Sequence, residues 1–166
     1  MSNAKNIFDE VNNFMNYDYY FDDCINKFKH YIKHIKGVSA VSITRHSPSF
    51  FTTLKEWQGL IVVQKTGQGF NIIITLFENG DRLIKLGVLN HELGHGFMHF
   101  DMLLNNASMQ ALQEKEATAF AELILKKFLH GINNTAGNEA ANAECSIDND
   151  RIKEILQIIN PPRIND

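Results

Sequence analysis

The chain has 166 residues, a formal net charge of −3 and two cysteines, a size that suits one domain burying about 70% of its unfolded surface without disulfide staples. No basic run exceeds two residues, which argues against a phosphate-tracking nucleic-acid surface and favours a protein or peptide partner. No apolar run approaches the roughly 18 residues of a membrane span, no export signal opens the chain, and Cys24 and Cys145 lie outside any metal-ligand spacing, so a cytoplasmic protein with reduced thiols and no membrane association is expected.

In chain order, residues 5 to 16 carry a weak helical pattern and residues 18 to 36 a strong one. Phe21, Ile25, Phe28, Ile32 and Ile35 form the apolar stripe of the second helix, and Gly37 stops it. Its other face, with Lys27, Lys29, His30, Lys33, His34 and Lys36, reads as solvated. Any one of Tyr17, Tyr19, Tyr20 and Tyr31 is a candidate to reach an active site and donate to an oxyanion. Residues 38 to 44 alternate like a short strand, and the stretch from Arg45 to Thr53 reads as a loop. Two β-branched runs, Leu60 to Gln64 and Phe70 to Phe77, flank Thr66-Gly67-Gln68-Gly69 and predict a hairpin. The fold class is therefore α+β, a small, roughly three-stranded antiparallel sheet packed against helices. Phe70 to Phe77 is the candidate edge strand for holding an extended substrate.

Asp81 can cap a helix from about Arg82 to Phe100, with Leu83, Leu86, Leu89, Leu93 and Phe97 as its core stripe. Gly87, Gly94 and Gly96 each weaken that helix by about 1 kcal/mol relative to Ala, a loss expected where the helix carrying Glu116 packs close. A polar loop from Asp101 to Ser108 offers Asn105, Asn106 and Ser108 as caps for a further helix reaching about His130, with Gly131 as its stop. Residues 131 to 147 read as a linker. A last helix from Asp148, with Ile152, Ile155, Leu156 and Ile159, is expected to pack back on the domain, or else to dock on a partner, before Pro161-Pro162 ends it.

The chemistry concentrates in His91-Glu92-Leu93-Gly94-His95. On a helix, i and i+4 share a face, so the two imidazoles converge on one point, where Zn²⁺ accepts nitrogen at roughly 2.0–2.1 Å. Glu92, about 100° round the helix, lies near that point without ligating, where a general base belongs. A third ligand is needed. Asp101 has the spacing of a metzincin's last ligand, but that class turns its helix at a glycine where Met98 stands here. Glu116 is the preferred ligand, because Leu112, Glu116, Phe120 and Leu123 share one helical face and a buried carboxylate there demands a cation, whereas Glu114 and Glu122 point elsewhere. His91, His95 and Glu116 form the expected metal shell. His99, one turn beyond His95, and Asp101 are candidates for a hydrogen bond to a ligand or a transition-state contact.

The segment from His91 to His95 with His99 four residues on, followed by Glu116-Ala117-Thr118-Ala119-Phe120-Ala121, resembles the ImmA/IrrE family of metallo-endopeptidases over roughly residues 59 to 125. The resemblance implies a gluzincin-like zinc peptidase core that cleaves a regulatory protein such as a helix-turn-helix repressor of a phage or mobile element. A zinc-bearing module that binds or senses without proteolysis is the alternative, and an interaction protein with no metal is a third reading.

Overall fold

A computed structural model describes residues 17–46, 59–77, 82–136 and 141–159, with side chains described outside 132–148. The fold is α+β. Helix α1 is Tyr17–Lys36, followed by strands β1 (Val38–His46), β2 (Gly59–Thr66) and β3 (Gly69–Phe77). Helices α2 (Arg82–Met98), α3 (Phe100–Leu104), α4 (Ala111–Ala136) and α5 (Ala141–Ile159) complete the order. The expected helix over 5 to 16 and the Asp81 cap lie outside the described residues.

Phe21, Ile25, Phe28 and Ile32 are buried along α1, their three- and four-residue spacing forming one stripe, while Ile35 is 63% exposed near the helix end. Gly37 follows at φ +67°, the left-handed conformation that stops a helix at little cost without a Cβ. The lysine and histidine face is solvated as expected, with Lys36 half-buried.

The hairpin forms as predicted, β2 antiparallel to β3 across a two-residue turn. The sheet is nevertheless mixed. Its order is β1-β3-β2, and β1 runs parallel to β3. Phe70 to Phe77 is thus a central strand rather than the expected edge, and β1 and β2 hold the two edges. The reason lies in burial: β3 places Ile72, Ile74 and Leu76 in the core, and the most apolar strand is best paired on both sides. Ile61 and Val63 of β2 point inward with them, whereas Leu60 and Val62 face out.

Helix α2 is buried on nearly every side, since all residues from Leu83 to Gly96 except Lys85 are inside. Such a helix belongs at the centre of its fold. The sheet, α1, α4 and α5 all pack on it. Only Gly94 makes its closest approach to the helix carrying Glu116 as expected, while Gly96 and Gly87 meet other neighbours first. A Cβ on Gly94 would lie 3.2 Å from Ala117 Cα on α4, one on Gly96 would strike the Phe28 ring, and one on Gly87 would meet Ile159 of α5.

The helix does not run through to Phe100. It ends at Met98, His99 leaves helical geometry at φ −122° and ψ 27°, and α3 follows. Helix α4 starts later than Asn105, Asn106 or Ser108 would set it. The first turn bonds Glu114 N–H to the Gln110 carbonyl at 3.1 Å, and Gln113 Oε1 accepts from Gln110 N–H at 3.0 Å. That is half of a capping box, with Gln110 as the cap. Helix α4 also continues past Gly131 to Ala136, and α5 begins at Ala141, so the expected linker over 131 to 147 is mostly helix. Ile152, Ile155 and Ile159 are buried and pack α5 back onto the domain.

Candidate metal centre

Two helices build the site. Because His91 and His95 stand one turn apart on α2, their rings share a face, and Glu114 from the first turn of α4 meets them. His91 Nε2 lies 3.1 Å from Glu114 Oε2 and 3.2 Å from His95 Nε2, and His95 Nε2 lies 3.5 Å from the same oxygen. Ligand atoms placed tetrahedrally round zinc at roughly 2.0–2.1 Å are separated by about 3.3–3.4 Å. The triangle is the size of three corners of that tetrahedron. Both imidazoles are buried, and the Glu114 side chain is 22% exposed, which leaves the cluster open on one side.

The outer hydrogen bonds decide what the inner atoms present. Thr118 Oγ1 gives its proton to the Glu114 carbonyl at 2.8 Å, so at 3.3 Å it accepts from His91 Nδ1. Glu116 Oε2 lies 2.8 Å from His99 Nε2, which donates to it. In a neutral His99 ring Nδ1 then accepts, and the His95 Nδ1 at 3.1 Å donates. With Nδ1 carrying the proton in both metal-site rings, both neutral Nε2 atoms turn lone pairs on the Glu114 carboxylate. Three acceptors with no hydrogen between them are unfavourable until a cation occupies the space they face.

Glu92 is also inside, on the β2 side of α2. Burial pushes its carboxyl up to about 7 and Glu114 adds to the rise, whereas His95 and the Ile61 backbone amide that hydrogen-bonds it pull the other way. Gly59 leaves room for this carboxylate. A Cβ on Gly59 would lie 2.8 Å from Glu92 Cγ.

The structure thus brings His91, His95 and Glu92 together as expected and replaces Glu116 by Glu114 at the triangle. The helical phase behind Glu116 was set by Leu112, Phe120 and Leu123, but Leu112 and Leu123 are 60% and 50% exposed. The buried face is instead Ala117, Ala121, Leu125 and Phe128, which carries Glu114 and Thr118 inward and leaves the Glu116 side chain 47% exposed. The available signal was steric, since Gly94 on one helix calls for alanines on the other. His99 takes the expected place beside a ligand. Asp101 does not, for it is exposed, and its backbone carbonyl accepts from Asn105. Tyr17 meets Phe128 edge to face, Tyr20 packs tilted on Phe128 and Tyr31 tilted on Phe97, while Tyr19 is 71% exposed.

A cavity of about 370 Å³ between α1 and β1, lined by Asp22, Ile25, Asn26, Lys29, Ile43 and Arg45, shares no residue with the cluster. Among the described residues no helix is long and apolar enough to cross a membrane. Comparison of the chain with protein-family models, curated proteins and solved structures gives no match.

Proposed function

We propose that the chain is a zinc-dependent endopeptidase with His91, His95 and Glu114 as metal ligands and Glu92 as general base. The supporting observation is the triangle of three lone-pair atoms, 3.1 to 3.5 Å on a side, with a buried carboxylate beside it. A zinc ion held there would polarise a scissile carbonyl and acidify water. Glu92 takes the water's proton and passes it to the departing amine, a role suited to a carboxyl raised to about 7 by its burial. His91, His95 and Glu114 supply two neutral donors and one charge. The edge strand β2, whose Ile61 amide orients Glu92, is the surface along which an extended substrate backbone would pair. The HELGH run and the downstream Glu116-Ala117 segment resemble ImmA/IrrE peptidases, which favours a regulatory protein, such as a phage or mobile-element repressor, as substrate.

The test is incubation of zinc-loaded wild type and Glu92→Gln with the repressor encoded nearest the gene, read by fragment mass. Cleavage by wild type, with full zinc but no cleavage in the variant, supports the proposal. Cleavage surviving in the variant refutes Glu92 as base, and zinc without cleavage in either protein points to a metal-bearing binding module.

A further inference from the structure

We infer that Glu116 and His99 act in series as positioning residues for the metal ligand His95, an inference that rests on the metal reading of the cluster. Glu116 Oε2, His99 Nε2, His99 Nδ1 and His95 Nδ1 form an unbroken line, with contacts of 2.8 Å and 3.1 Å. Each contact has one proton, and the direction is fixed from the carboxylate end, because an ionised carboxylate only accepts. A neutral His99 ring then accepts from His95, leaving His95 Nε2 as the metal-facing lone pair. A ring whose outer N–H is held by an acceptor is fixed in tautomer and orientation and is a stronger donor through its other nitrogen. The acceptor here is itself polarised by a carboxylate.

The backbone serves this geometry. Helix α2 ends at Met98, so His99 sits in the break between α2 and α3, where its ring meets both His95 and α4. His99 is buried, whereas the Glu116 side chain is 47% exposed. The line therefore joins the metal ligand to the protein surface. His91 has a simpler arrangement, in which its outer nitrogen ends on the Thr118 hydroxyl at 3.3 Å. The two histidines of the motif thus differ in how firmly they are held.

The experiment measures zinc affinity of the full chain by competition with a chromophoric chelator, with apo-protein melting as a fold control, for wild type, His99→Phe, Glu116→Gln and the double variant. His99→Phe is expected to weaken zinc binding by about 10–100-fold. Glu116→Gln is expected to weaken it less, leave apo melting unchanged, and add nothing in the His99→Phe background. His99→Gln, whose amide both accepts and donates, is expected to recover part of the affinity. Should His99→Phe fail to fold, Glu116→Gln decides alone. Wild-type zinc binding with unchanged affinity in Glu116→Gln overturns the series, as does the same loss from Glu116→Gln with and without His99. A wild type that binds no zinc overturns the metal reading and this inference with it.

Discussion

Glu114 and Glu116 stand two residues apart on one helix, about 200° round its axis, and meet different partners. Glu114 closes the triangle with His91 and His95, and Glu116 ends the line through His99. Glu114→Ala is therefore expected to abolish stoichiometric zinc binding, measured by metal analysis after gel filtration, while Glu116→Ala keeps the metal with weaker affinity. Equal retention by both would remove Glu114 from the shell. Away from the site, Tyr20 is pushed up to about 12, first by burial and then by Cys24 and Asp23, and burial raises Cys24 as well. A raised folded-state value favours the protonated, folded form. The Tyr20 contribution is complete below pH 10, its ordinary value, and is lost as pH climbs toward about 12. Tyr20→Phe should flatten the alkaline limb of a stability–pH curve between those limits, and an unchanged limb would show the phenol uninvolved. His91, Glu92 and His95 were legible because spacing on one helix fixes their mutual geometry. The choice between Glu114 and Glu116 was not, since it depends on the rotation of a second helix.

That rotation is an element-scale property, set where α2 and α4 cross. Gly94 lies against Ala117, and a Cβ added there would stand 3.2 Å from its Cα and 3.3 Å from its carbonyl oxygen, backbone atoms that no side-chain rotation can move away. Gly94→Ala gains about 1 kcal/mol in helix propensity but forces the backbones apart, and overpacking of this kind costs about 1–3 kcal/mol. It should lower stability and zinc affinity together, because α4 carries Glu114 one turn before the crossing. Gly87→Ala is the contrast. Its obstacles are side-chain methyls of α5, the end of Ile159 and the Cγ2 of Ile155 at 3.1 Å from the added Cβ, so melting should fall with little or no change in zinc affinity. The reverse ranking would place the critical contact elsewhere. The same scale separates what the sequence disclosed from what it did not. The β2–β3 hairpin and the α1 stripe rest on local periodicity, and both formed. The parallel placement of β1 depends on a crossover of chain that leaves no periodic mark. The phase of α4 was hidden because alanines carry its buried face while larger leucines stand in solvent.

For the whole molecule, a metal that binds only the folded chain adds its binding free energy to stability. Zinc at 100 times its dissociation constant adds about 2.7 kcal/mol, which corresponds to roughly 5–10 °C in melting temperature for a chain of this size. A chelator should remove that increment, and so should acid, since imidazole must be neutral to ligate and protons compete with the metal as pH falls. Calorimetry with and without zinc measures the effect, and coincident curves would mean that the folded chain does not take up the ion.

The stretch between His95 and Glu114 begins and ends at the same cluster, and the residues between them include the short helix α3 and an exposed bend where Asn106 adopts φ 52°. An ion in that position works as a buckle on a loop, tying its two ends together. Once the ion is stripped, a nonspecific protease should nick the chain first around 105 to 110, long before the sheet or the central helix gives way, so the sites of cutting would report the state of the metal.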